Sequence, residues 1–152
     1  MRRVSLASPP NTPLYRVTLF YGPDQAEGPP ARLCCVFNVK KRSWKGGIQV
    51  AVEVEEAQLD RLGRAIGFDA WLDGILIGRP EAERADYRFR ARDLFVQAVC
   101  AQKLDLAIAA GLSQENCTLP PARWSAELEA AVLATPDRIT AQVLAELDLP
   151  AP

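Results

Sequence analysis

The sequence predicts an α+β fold: a three-stranded antiparallel β-meander at the N-terminal side, packed against a C-terminal helical layer with one long central helix. Three observations predict it. Apolar residues alternate with period two in three runs before Glu55. After Glu55 the period becomes that of a helix. The stretch Leu94–Ala110 is apolar around most of its circumference, which marks a buried, central helix. Strands first and helices after is the order of an α+β domain.

The elements follow in turn. Residues 1–13 hold three prolines and few large apolar groups, so they are expected as a flexible lead-in to a single domain over residues 14–149. The first strand is expected over about 15–21, with Tyr15, Val17, Leu19 and Tyr21 on one face. Gly22 to Pro30 contains two glycines and three prolines and reads as a loop. The second strand, about 32–40, turns Leu33, Cys35, Phe37 and Val39 to one side. The third, about 48–54, turns Ile48, Val50, Val52 and Val54 the same way. The other face carries Phe20, Cys34 and Val36 beside Arg16, Thr18 and Asn38, less polar than an exposed face usually is, so a helix or another chain is expected on it.

Helices are expected over about 55–66, 70–77, 81–110, 121–133 and 136–147. Gly67 is a natural stop for the first, and Asp69 a cap for the second. Pro80 suits the start of the third, which has room for a break near Asp86. On a wheel of about 100° per residue, Asp86, Arg90, Asp93 and Gln97 form its polar stripe. Thr135-Pro136, a capping residue before a proline, opens the last helix.

Length and composition set the class. A chain of 152 residues makes one domain and buries about 68–70% of its unfolded surface, enough for a core without staples. The longest apolar runs are a handful of residues, whereas a bilayer span needs roughly 20, so no membrane segment is expected. Ser5, Ser8, Pro9 and Pro10 follow Arg2-Arg3 where an export signal would be apolar, which predicts a cytoplasmic protein. The net charge is −1, but residues 1–47 carry +6 and residues 48–152 carry −7. That balance argues against wholesale attraction to polyanions while leaving one basic patch.

The chemical inventory excludes more than it offers. The chain has no histidine, so it cannot build a Ser-His-Asp triad, a Cys-His pair or a histidine zinc site. Its glycines match neither a P-loop nor G-x-G-x-x-G, and no G-x-S-x-G elbow is present. No cofactor, metal site or catalytic set is therefore predicted. Cys34, Cys35, Cys100 and Cys117 contain no C-x-x-C pair, and neighbouring strand residues point to opposite faces, so Cys34 and Cys35 are poorly placed to share a metal. Structural thiols are expected, with Cys34 or Cys35 the better placed for reactivity near Arg32 and Lys40.

Three groups of residues remain as binding candidates. Lys40, Lys41, Arg42, Trp44 and Lys45, followed by Gly46-Gly47, form a basic, Trp-bearing β-hairpin tip. Its cations can contact phosphates and its indole can stack on a base or a partner's apolar surface, and its two glycines free the backbone for positive φ. Arg79, Arg84, Arg88, Arg90 and Arg92 are interleaved with Glu81, Glu83, Asp86 and Asp93, which reads as a charged helix surface. Lys103 and Asp105 are the buried polar candidates of the central helix. Asp105 continues the stripe of Tyr87, Ala91, Leu94, Ala98 and Ala101, and Lys103 lies roughly 160° away, so they cannot pair with each other. A carboxylate on a core stripe needs a partner, such as a helix N-terminus or an arginine.

The function expected from this inventory is a small cytosolic, non-enzymatic protein-binding protein: an assembly factor, adaptor or regulator. Its partner is another protein or a second copy of the chain, and no membrane. The alternative is a binder of nucleic acid or another polyanion through the Lys40–Gly47 tip. A second alternative is a cysteine-dependent enzyme.

Overall fold

Alternating apolar residues make a ribbon with one greasy face, and the protein is built on such a ribbon. The structure is a computed structural model that describes residues 12–13, 18–20, 32–40, 46–111 and 125–147. Strands β1 (Thr12–Pro13) and β2 (Thr18–Phe20) are short, while β3 (Arg32–Val39) and β4 (Ile48–Glu55) have eight residues each. All pairings are antiparallel. β4 runs the full length of β3, from Arg32↔Glu55 to Val39↔Ile48. β1 and β2 also pair with β3, at Thr12↔Asn38 and Thr18↔Cys34.

The β3–β4 register puts Leu33 opposite Val54, Cys35 opposite Val52 and Phe37 opposite Val50. All six are buried, so the period-two pattern and the pairing select the same core face. The first expected strand differs. Of residues 15–21 only Thr18–Phe20 is strand among the described residues, and residues 14–17 and 21 lie outside them. Within the expected lead-in, Pro13 pairs with Phe37; lacking an N–H, proline suits such an edge position. The second face of the sheet is mixed: Cys34 is buried, Val36 and Glu53 are half-buried, and Asn38, Gln49 and Ala51 are exposed.

Five helices follow among the described residues: α1 (Glu56–Ile66), α2 (Phe68–Ile75), α3 (Glu81–Ala109), α4 (Ser125–Ala134) and α5 (Pro136–Leu147). α1 and α2 are joined by Gly67 alone. It adopts the left-handed conformation (φ 70°, ψ 35°), donates its N–H to the Arg64 and Gly63 carbonyls, and accepts from the Trp71 N–H at 3.0 Å. A glycine enters that region without the Cβ penalty. Asp69 therefore does not cap α2, as expected from the sequence, but sits in its first turn, where a carboxylate still complements the helix dipole.

α3 runs unbroken past Asp86 for 29 residues, about 43 Å at 1.5 Å per residue. Its first buried residue is Ala91, and before it Tyr87 packs half-buried against the core. Val99 and Leu104 are buried at its centre. One side of α3 meets β4: the Cys100 thiol lies 3.7 Å from the Val52 carbonyl, and Lys103 Nζ donates to the Glu53 carbonyl at 2.6 Å. About 200° further round, Gln102 and Asp105 reach Thr135 and Arg138, where α5 begins. The central helix thus lies between the sheet and the α4–α5 pair. Thr135 spends its hydroxyl on the Ala131 carbonyl of α4 (2.9 Å) and accepts from Gln102 (3.3 Å), tying α3 to the α4–α5 corner. Among the described residues no helix is long and apolar enough to cross a membrane.

Candidate functional site

A groove of about 630 Å³ lies between α1, α2 and the middle of α3. Its floor is apolar. Leu59 and Gly63 come from one face of α1, Phe68 and Leu72 from one face of α2, and Phe95 from α3. Phe68 packs on Phe95 with ring centroids 4.5 Å apart, and on Trp71 at 5.5 Å. Gly63 sets the depth. It lies inside α1, where glycine costs about 1 kcal/mol relative to alanine, and a Cβ there would touch only the Phe95 ring, at 3.7–3.8 Å. A larger side chain at 63 would fill the groove.

The rim is charged with both signs. α2 contributes Asp69 and Asp73, α3 contributes Arg88 and Arg92, and α1 contributes Asp60 and Arg64. Arg88 bonds Asp73 at 3.2 Å, and Arg92 reaches Glu56 at 3.0 Å and Asp60 at 3.5 Å. These pairs link α3 to both other walls. Among the described lining residues the polar groups are these carboxylates and guanidiniums, with Asp60 and Asp73 engaged by arginines.

The arginine cluster of α3 forms a lattice of ion pairs. Arg79 meets Glu83, Arg84 meets Glu81, and Arg90 meets Asp86 in the favourable i,i+4 order. Arg90 also donates to the Leu147 carbonyl at 3.3 Å, a cation on the last turn of α5. On the far side of α1, Glu129 of α4 takes hydrogen bonds from Arg61 and from Gln58. The Arg61 bond holds the Glu129 carboxyl below the usual range despite the opposing effect of burial.

The residues singled out in the sequence do not come together. Lys41, Arg42, Trp44 and Lys45 lie outside the described residues. Lys40 is exposed where β3 ends, and the pairing Val39↔Ile48 makes residues 40–47 the link between the two strands. Neither Gly46 nor Gly47 adopts a positive φ. Gly47 serves close approach instead: a Cβ there would fall 2.8 Å from the Asn38 amide oxygen.

Lys103 is buried, with 2% of its surface exposed. Burial pushes it below the ordinary lysine range, against the pull of Cys100, Glu53 and Glu55. Asp105, expected on the buried stripe, is exposed: its side chain keeps 53% of its surface and pairs with Arg138 at 3.4 Å. The stripe that faces protein at Ala91 and Ala98 emerges, two turns later, at the open edge beside the start of α5. Its residual burial still pushes the Asp105 carboxyl up, and Arg138 draws it back.

Three thiols are described, all unoxidised and buried. Cys34 is pushed up by burial and by the Glu53 carboxylate, contrary to what a reactive nucleophile needs. Cys35 of β3 and Cys100 of α3 meet across the sheet–helix interface. The Cys100 thiol donates to the Val52 carbonyl at 3.7 Å; its nearness to Cys35 draws Cys35 down, while Cys35 and complete burial push Cys100 well up. Cys117 lies outside the described residues. No protein-family model, curated protein or solved structure matches the chain.

Two features were missed in the sequence, the groove and the Cys35–Cys100 contact. Gly63, a glycine inside an otherwise good helix, was the one available signal for the groove. Nothing in the spacing of residues 35 and 100 announces their contact.

Proposed function

We propose that the protein is a small, non-enzymatic protein-binding protein, of the assembly-factor, adaptor or regulator kind, and that the α1–α2–α3 groove receives a short segment of its partner. The observation that carries this reading is an open groove with an aromatic floor and a rim of fixed charges. Buried aromatic anchors inside a charged rim are the usual build of a protein-recognition surface. The charge layout suits an occupant with one large apolar side chain for the Phe68–Phe95 floor, a basic neighbour toward Asp69 on α2, and an acidic neighbour toward Arg64 on α1.

The test is affinity capture from the native source with parent and altered chains, followed by sizing of the complex. The partner captured by the parent chain is expected to be lost with Gly63→Trp, which fills the floor. It is expected to bind more weakly with Asp69→Lys, which inverts one wall. Both variants should keep the parent's circular dichroism. Undiminished capture by both would sink the reading.

A second reading rests on exposed Lys40 and the position of residues 40–47 at the end of the β3–β4 ribbon. There a binder of single-stranded nucleic acid would use Lys40, Lys41, Arg42 and Lys45 for phosphates and Trp44 for stacking. Its affinity should fall by about one decade per decade of salt for each cation engaged. Changing the four cations to Ala should abolish it, and binding that survives the change excludes this reading.

A further inference from the structure

We propose that Cys35 and Cys100 form a redox modification site, a buried dithiol that a hydroperoxide converts to a disulfide joining β3 to α3. The placement comes from the sheet register and the helix face together. Cys35 is opposite Val52, and the Cys100 sulfur lies 3.7 Å from the Val52 carbonyl, so both thiols converge on one rung of the β3–β4 ladder. Both are fully buried, and each thiol shifts the titration of the other. Cys34 is excluded as the partner by the pleat, because it points to the opposite face.

The chemistry follows from the pair's surroundings. Two thiols held this close titrate as a pair, so the first ionisation leaves one thiolate beside one thiol. Cys35 is the group drawn down, against burial and the Asp93 carboxylate. The Lys103 ammonium, one turn beyond Cys100, favours negative charge at this spot. The Cys35 thiolate attacks one oxygen of hydrogen peroxide, the O–O bond breaks, and hydroxide leaves as the sulfenic acid forms. Cys100 sulfur then attacks the sulfenic sulfur. The S–S bond forms, and the sulfenic hydroxyl leaves with the Cys100 proton as water. The two sulfurs give up two electrons, and the peroxide becomes two waters. The resulting crosslink ties the sheet to the central helix and constrains the unfolded chain, so the midpoint of thermal unfolding rises.

The experiment treats the full chain with hydrogen peroxide, blocks the remaining thiols under denaturing conditions and maps the peptides by mass spectrometry. The expected result is loss of two hydrogens and a crosslink between the peptides of Cys35 and Cys100, reversed by dithiothreitol, with a higher unfolding midpoint. Because Cys34 and Cys35 share a peptide, Cys34→Ser should retain the crosslink, while Cys35→Ser and Cys100→Ala should each abolish it. If those last two do not fold, fragmentation of the crosslinked parent peptide assigns the sulfur. A crosslink through Cys34 or Cys117, sulfinic acid without a crosslink, or four thiols still free after treatment would overturn the proposal.

Discussion

At the scale of single residues, Lys103 and Asp105 show how differently two charges on one helix are treated. Lys103 is held under the sheet with its ammonium on the Glu53 carbonyl, and burial lowers it from 10.5. Between the folded value and 10.5 the unfolded chain binds more protons, so this residue makes stability rise with pH across that window. Lys103→Met removes the rise. In urea titrations from about pH 7 to about pH 10, the parent's advantage over the variant is expected to grow with pH, and a constant difference would refute the assignment. Asp105 has the opposite sign. Its folded value is raised, so it favours folding at low pH, and that contribution is lost as pH climbs through the folded value. Asp105→Asn should steepen the loss of stability toward acid pH and leave the sheet–helix contact untouched, as read by near-ultraviolet circular dichroism.

At the scale of elements, Gly63 within α1 and Gly67 just past its end make a paired test. Gly63 has an ordinary helical φ and room for a methyl group against Phe95, so Gly63→Ala should stabilise by about 0.5–1 kcal/mol. Gly67 has φ 70°, so Gly67→Ala should destabilise by about 1 kcal/mol or more. Thermal melts of the two single variants should move in opposite directions. Elements whose signal is local were legible in the sequence. Leu33, Cys35, Phe37 and Val39 alternate because one face of their strand lies on the core, and Leu94–Leu104 is apolar around most of its circumference because the sheet and the α4–α5 pair cover it. Signals that depend on neighbours were not legible. The wheel placed Asp105 correctly on its stripe but could not show that the stripe leaves the core beside Arg138. The groove exists only because three helices cross at one place, and no single helix records that.

At the scale of the whole molecule, stability rests on α3 as the shared wall of the sheet and the helical layer. Leu104 is 1% exposed at its centre, and Leu104→Ala should cost about 2–5 kcal/mol, with sheet and helix signals lost in one cooperative transition during denaturant unfolding. Phe89, 70% exposed on the projecting turns of the same helix, should tolerate Phe89→Ala within about 0.5 kcal/mol in the same measurement. The contrast separates the part of α3 that the fold depends on from the part it leaves free.

Gly67 is the entire linker between α1 and α2, and the gape of this jaw follows from it. The two walls cannot part unless one backbone position leaves its left-handed well, so the opening behaves as a fixed aperture rather than a flexible mouth. A residue inserted at that joint would uncouple the two lips, and because α2 also carries Phe68 and Leu72 of the core it would loosen the interior along with the mouth.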